Sequence, residues 1–258
     1  MIRRHLNFAC GTAHLTGTLD EGDATSGLLL VSGGNETRAG AFSGQAELAV
    51  RIAAAGFPVF RFDRRGVGDS EGENTGFLGS QGDIAAALAA FLTEMPQLTR
   101  VVAFGNCDAA SALMLSGGAG FHALVLANPW TFDSDDAPPP PAAIRARYAA
   151  RLREKGAIRR LLTGDVSFAK LLRGLLGALR PAPSPGGLSA RMKQGLATFS
   201  GPVEILIASR DRTGKAFVAQ WNEDDPRLAH CPDASHGFAE PQARDWLFER
   251  LCSVLAEK

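Results

Sequence analysis

One cysteine, one aspartate and one histidine each lie close to the end of a segment that is typical of a buried strand. Cys107 follows the apolar run 101–104, Asp211 follows the run 203–208, and His236 lies in the loop before the last predicted helix. These residue types can perform nucleophilic catalysis, because a thiol attacks, an imidazole moves the proton and a carboxylate orients the imidazole. We expect them to meet where the carboxyl ends of parallel strands gather.

The sequence around Cys107 predicts a sharp turn between a strand and a helix, which we call the elbow (residues 105–109). Gly105 and Ala109 lie two residues before and after the cysteine, and a helix of small residues is predicted over 110–115. Those two positions need small side chains, because larger ones would collide with the adjoining strand and helix. The alternative is that Cys107 is a buried packing residue, as most free cysteines are.

A glycine-rich loop is a second candidate for chemistry. The buried strand predicted over 28–31 opens directly into Ser32, Gly33, Gly34 and Asn35. Glycine lets the backbone turn its N–H groups into a cleft, which an oxyanion hole requires. The alternative is an ordinary tight turn before the next helix.

The elements that must position these residues alternate between strand and helix. This alternation runs from 28 to 127 and resumes at 203, which predicts βαβ units in a parallel sheet. The segments 5–10 and 12–19 predict an antiparallel hairpin at the sheet edge.

The composition changes between these two parts of the chain. Four consecutive prolines occupy 138–141, and a basic, amphipathic helical sequence extends from 142 to 179. We therefore predict that residues 1–132 and 201–258 form one core, and that residues 133–200 form a helical cap inserted over the sheet.

The composition argues against nucleic-acid-binding, disulfide-rich and membrane-spanning proteins. The 27 basic and 27 acidic side chains balance, so nucleic acid is not an expected partner. The four cysteines form neither a C-x-x-C motif nor a disulfide framework, which fits a reducing compartment. No stretch has the pattern of a signal peptide or a membrane span, so we expect a soluble, cytoplasmic protein.

Together these motifs resemble the α/β-hydrolase superfamily. The order of nucleophile, acid and histidine is the same, and the charged loop 63–72 and the segment 236–238 also match the family pattern. The resemblance implies a mostly parallel, eight-stranded sheet flanked by helices, with a helical cap insertion. Most members use serine at the elbow; those with cysteine resemble dienelactone hydrolases, which open activated ester or lactone bonds.

Three segments are more narrowly similar to the hydrolases associated with bacterial exosortase systems. They are the segment from Gly33-Gly34-Asn35 to Gly40, with Arg38 between, and the segments Gly68-Asp69-Ser70-Glu71-Gly72 and Gly105-Asn106-Cys107-Asp108-Ala109. This similarity implies a role linked to the export of exopolysaccharide or surface proteins.

The family resemblance gives each candidate a role. Cys107 would attack as the thiolate, His236 would move the proton, and Asp211 would orient the imidazole. The oxyanion would be held by the N–H of Asp108, the residue after the nucleophile, and by an N–H of Gly34 or Asn35.

Other acids compete with Asp211 for the orienting role. The alternatives are Asp133, Asp135 and Asp136, which follow an earlier strand from which some family members draw the acid, and Asp233. Asp233 precedes His236 by three residues in one loop, a poor position from which to orient the ring. His230, Cys231 and His236 lack metal-ligand spacing, so neither a metal nor another cofactor is expected.

These features predict an acyl hydrolase, either a carboxylesterase or a thioesterase, that forms a covalent acyl thioester. Thiolate is also a good leaving group, so small-molecule activated esters, thioesters and lactones are favoured over amides. Trp130, Phe132 and Tyr148 would line an apolar acyl pocket beneath the cap. The alternatives are acyl transfer by the same triad and a catalytically silent homologue that binds an acyl ligand or a partner.

Overall fold

A single sheet of eight strands organises the part of the chain that the computed structural model describes, residues 2–132 and 187–257. The strands are β1 Arg3–Cys10, β2 Ala13–Asp20, β3 Ser26–Val31, β4 Val59–Phe62, β5 Arg100–Asn106, β6 Ala123–Ala127, β7 Val203–Ala208 and β8 Leu228–Cys231. Their spatial order is β1-β2-β4-β3-β5-β6-β7-β8. β2 pairs antiparallel with both β1 and β4, and all other neighbours are parallel. The predicted edge hairpin and mostly parallel sheet are confirmed.

Helices cover both faces of this sheet. Within the described ranges they are α1 Gly44–Ala54, α2 Gln81–Glu94, α3 Asp108–Leu115, α4 Leu188–Leu196, α5 Arg212–Val218 and α6 Pro241–Ala256, with 3₁₀ turns at Ala41–Ser43 and Phe77–Gly79. The apolar side chains of α1 and α6 pack on one face, and those of α2, α3 and α4 pack on the other.

The apolar runs of the central strands follow from this double cover. In β3, Leu28 and Leu30 belong to the core beneath α1 and α6, while Leu29 and Val31 belong to the core on the opposite face. Successive side chains of a strand point to opposite faces, so a strand covered on both sides must be apolar at every position.

Two helices begin at positions other than those predicted. The sequence predicts a helix over 42–55, but α1 begins at Gly44, because Phe42 and Ser43 have positive φ values of 50° and 61°. The sequence also predicts a helix over 215–222, whereas α5 begins at Arg212 and ends at Val218. The Asp211 side chain accepts the Gly214 N–H at 2.7 Å and caps the helix there.

The predicted cap is only partly within the described residues. Residues 133–186, including Tyr148, Asp133, Asp135 and Asp136, lie outside them. The sequence predicts a helix over about 188–199, and α4 occupies Leu188–Leu196. Its buried apolar residues, Leu188, Met192 and Leu196, join the core that contains α3. Within residues 2–132 and 187–257, no helix is both long enough and apolar enough to span a bilayer.

Candidate active site

Cys107 lies on a strained turn between β5 and α3. Its φ and ψ are 62° and −126°, in the left-handed region of φ that non-glycine residues seldom occupy. A Cβ at Gly105 would lie 2.8 Å from the Ala109 carbonyl carbon and 2.8 Å from the Ala110 nitrogen, and Ala109 is itself fully buried. The turn therefore requires a small residue at each predicted position.

Backbone hydrogen bonds hold the elbow in this conformation. The Cys107 N–H donates to the Ala127 carbonyl at 3.0 Å, and the Cys107 carbonyl accepts the Trp130 N–H at 3.2 Å. Both bonds tie the turn to the end of β6, so the strained φ is determined by its surroundings. Cys107 is only partly buried, whereas Cys10 and Cys231 are buried.

The structure brings His236 and Asp211 together at the same edge of the sheet. His236 Nδ1 lies 3.0 Å from Asp211 Oδ2, and the Asp211 side chain is 8% exposed, against 41% for His236. Asp233 is exposed, and its N–H donates to Ser209 Oγ at 2.8 Å. Among the acids within the described ranges, Asp211 is therefore the one placed behind the imidazole.

The electrostatics of the pair favour a charged imidazole. Hydrogen bonding to Asp211, and then to Cys107, raises the pKa of His236 to about 10 against the opposing effect of burial. Burial acts to raise the pKa of Asp211, but hydrogen bonding with His236 and with the Gly214 and Thr213 backbone outweighs it, so this pKa is lowered. Both directions favour a charged imidazolium beside the Asp211 carboxylate.

The other three cysteines lie in different surroundings. Burial raises the pKa of the thiols of Cys10, Cys231 and Cys252. Because the thiolate is the reactive form, these three are poor nucleophiles near neutral pH.

Two asparagines that the sequence analysis did not single out hold the His236 backbone. Asn106 Nδ2 and Asn128 Nδ2 each donate to the His236 carbonyl at 3.1 Å. Asn128 is fully buried, and its Oδ1 accepts the Ala208 N–H at 2.8 Å. This asparagine pair therefore joins the ends of β5, β6 and β7 to the histidine loop. The available signal was an asparagine at the carboxyl end of two predicted strands.

The glycine loop lies directly against the elbow. A Cβ at Gly33 would lie 2.5 Å from the Asn106 carbonyl oxygen and 3.4 Å from Cys107 Cβ, so glycine is needed for this approach. The Gly34 N–H donates to Asp108 Oδ1 at 2.7 Å. The Asp108 N–H begins α3, where helix geometry provides no intrahelical acceptor. The structure thus brings two of the predicted oxyanion donors, Gly34 and Asp108, to the elbow.

The charged loop after β4 supports the glycine loop. The buried Asp63 carboxylate accepts the Arg38 N–H and pairs with the Arg38 guanidinium. Arg64 donates to the Gly34 carbonyl, and Asn74 Nδ2 donates to Asn35 Oδ1 at 2.8 Å. These contacts hold the backbone of the glycine loop in position.

Two aromatic side chains follow the end of β6, where the backbone contacts Cys107. The Trp130 and Phe132 rings are 4.4 Å apart, and the Trp130 backbone is hydrogen-bonded to Cys107.

A separate cavity of about 410 Å³ lies between Phe77, Ala112 and Gly195, and no residue of the candidate triad lines it. In residues 2–132 and 187–257, no three His, Cys, Asp or Glu side chains cluster as a metal site.

Comparisons with known proteins agree with this architecture. A model described as the alpha/beta hydrolase family matches residues 28–250. The alpha/beta hydrolase GrgF from Penicillium sp. sh18 is similar in structure, with a TM-score of 0.66, 14% identity, and coverage of 99% of this chain and 98% of GrgF. No curated protein sequence matches.

Two further solved structures are similar. The Pyrococcus furiosus esterase Pf2001 gives a TM-score of 0.62 at 15% identity, covering 98% of this chain and 90% of the esterase. Est1E from Butyrivibrio proteoclasticus, solved with ferulic acid, gives 0.59 at 15% identity, covering 98% of this chain and all of Est1E. At these identities the similarity is one of fold.

Proposed function

Because the chain belongs to the alpha/beta hydrolase family, we propose that it is an acyl hydrolase whose nucleophile is Cys107. The observation that carries this proposal is the 3.0 Å contact between His236 Nδ1 and the buried Asp211 carboxylate, at the edge where Cys107 occupies the strained turn. Hydrogen bonding between His236 and Cys107 contributes to the raised pKa of the imidazole. A thiolate and imidazolium pair is the activated form that a cysteine nucleophile needs.

In the acylation half-reaction, the Cys107 sulfur attacks the acyl carbon and a carbon–sulfur bond forms. The carbonyl π electrons move to oxygen, and we assign the Asp108 and Gly34 N–H groups as the donors to that oxyanion, although in the free protein the Gly34 N–H donates to Asp108 Oδ1. Collapse of the tetrahedral adduct breaks the bond to the alkoxide or thiolate leaving group. His236 protonates that group through Nε2, since Nδ1 faces Asp211.

In the deacylation half-reaction, the neutral His236 imidazole takes a proton from water. The resulting hydroxide attacks the acyl thioester, and collapse of the second adduct expels the Cys107 thiolate. The acid leaves, and the thiolate and imidazolium pair is restored. The Asp211 carboxylate stabilises the imidazolium in both half-reactions.

The proposed substrates are activated esters and thioesters. Thiolate leaves readily from the tetrahedral adduct, so the forward reaction needs a leaving group at least as good. The Trp130 and Phe132 rings beside the elbow are suited to an apolar acyl chain. As a finer proposal, the similarity of three sequence segments to exosortase-associated hydrolases supports a cytoplasmic function linked to exosortase systems.

The first experiment uses p-nitrophenyl acetate and the intact mass of the protein. We expect a burst of p-nitrophenolate, one acetyl group on the peptide that contains Cys107, and loss of both in Cys107→Ala. Cys231→Ala is the matched control, because that thiol is buried and should be dispensable. Wild-type turnover by Cys107→Ala would refute the proposed nucleophile.

The same experiment separates the alternative functions. Addition of an alcohol or amine diverts the acyl group from water if the protein is a transferase, and the ester or amide product reports this. Absence of both adduct and turnover across an ester and thioester panel would instead indicate a binding protein.

A further inference from the structure

The Asp108 carboxylate occupies a donor that the proposed reaction needs. Its Oδ1 accepts the Gly34 N–H at 2.7 Å. The same oxygen lies where the loop meets the elbow, since a Cβ at Gly33 would be 3.0 Å from it and 3.4 Å from Cys107 Cβ. An N–H that points at a carboxylate oxygen cannot also hold a substrate oxyanion at full strength.

Arg64 offers the same carboxylate a second partner. The guanidinium is buried, and its Nη2 donates to the Gly34 carbonyl and lies 3.6 Å from Asp108 Oδ2. Its Nη1 is also buried and has no hydrogen-bond partner among the described residues. A buried charged donor without an acceptor is costly, so a carboxylate that moved towards it would gain a charge-assisted bond.

We propose that Asp108 is a displaceable occupant of the oxyanion hole. In the free protein its carboxylate holds the Gly34 N–H; when an acyl substrate binds, the carbonyl oxygen takes that N–H and the carboxylate moves to the Arg64 guanidinium. The inference rests on the proposed function, because only a tetrahedral adduct at Cys107 needs the donor. Displacement weakens every adduct that carries an oxyanion and leaves other reactions of the thiol unaffected.

The test compares Asp108→Ala with Asp108→Asn. Alanine leaves the Gly34 N–H without its side-chain acceptor. Asparagine removes the charge but keeps an oxygen that can accept the Gly34 N–H. An aryl trifluoromethyl ketone, which forms a tetrahedral oxyanion on a thiolate, should bind about tenfold more tightly to Asp108→Ala than to wild type, the size of one charge-assisted hydrogen bond. The gain in Asp108→Asn should be clearly smaller.

Alkylation by iodoacetamide is the matched reaction, because it forms no oxyanion. Its rate at Cys107 should be the same in the two variants. Equal gains in ketone affinity for both variants would assign the effect to charge alone and overturn the inference. Weaker ketone binding by Asp108→Ala would overturn it too, since the carboxylate would then be a support for the loop.

Hydrogen exchange of the Gly34 amide tests the occupancy without any chemistry at Cys107. The amide should exchange slowly in wild type and Asp108→Asn, and at least tenfold faster in Asp108→Ala. Equal exchange in wild type and Asp108→Ala would refute the occupancy. If the proposed function itself is wrong, the result differs: the intact mass of the wild-type protein shows no ketone adduct at Cys107.

Discussion

Replacement of Asn128 by aspartate tests whether the asparagine pair positions the imidazole. The aspartate keeps the oxygen that accepts the Ala208 N–H, but it cannot donate to the His236 carbonyl or to Asn106 Oδ1. Aspartate also tolerates a positive φ, which is 42° at this residue, so backbone strain stays nearly unchanged. The substitution therefore removes donors and adds a buried charge while it preserves shape.

The magnitude follows from the bonds lost. Two donated hydrogen bonds contribute about 1 kcal/mol each, and the Asn106 acceptor left without this donor adds about 1 kcal/mol more. Because the buried charge adds to these losses, we expect the free energy of unfolding to fall by at least about 3 kcal/mol in urea titrations at neutral pH. A shift of the histidine loop by about 1 Å would lower kcat/KM for p-nitrophenyl acetate by about 100-fold.

Asn7→Asp is the matched control for this experiment. Asn7 is exposed on β1, and its Oδ1 accepts the Thr16 hydroxyl, a bond that aspartate retains. Both its stability and its activity should stay at the wild-type level. If Asn128→Asp were destabilised as expected but kept kcat/KM within twofold of wild type, the asparagine pair would be a structural support without a positioning role.

Two further predictions concern the elbow and the ion pair. Gly105→Ala should lower the free energy of unfolding by about 1–3 kcal/mol, because the new methyl would overlap the backbone of α3. Gly44→Ala is the control and should not destabilise the protein, because a Cβ there meets nothing within 4 Å. Thermal melts of the two variants and the wild type measure the difference. Because the pKa of His236 is raised to about 10, its contribution to stability is complete below about pH 6.5 and is lost as pH rises through 10. Because the ring is 41% exposed, that loss of stability should be only about 1 kcal/mol. In urea titrations from pH 6 to 10.5, wild type should show this loss and His236→Gln should not. A difference in stability between wild type and His236→Gln that stays constant with pH would contradict the raised pKa of His236.

The sequence by itself determined the order of the elements and the backbone of the elbow. The apolar runs predict strands over 123–127 and 203–208, and the amphipathic pattern predicts a helix over 81–94; β6, β7 and α2 have these bounds. Gly105 and Ala109 indicated a turn that tolerates only small neighbours. In the structure a Cβ at Gly105 would overlap the backbone of Ala109 and Ala110. Such features depend on periodicity and local sterics, which a sequence displays directly.

Only the tertiary structure decided which side chains meet. The asparagine pair, the Arg64 contact with Gly34 and the Asp108 contact with the same residue join positions that are 22 to 130 residues apart. The early start of α5 also depended on Asp211, which caps that helix while it faces His236. Hydrogen bonds between distant residues depend on how the strand ends are brought together, and no local pattern in the chain encodes that geometry.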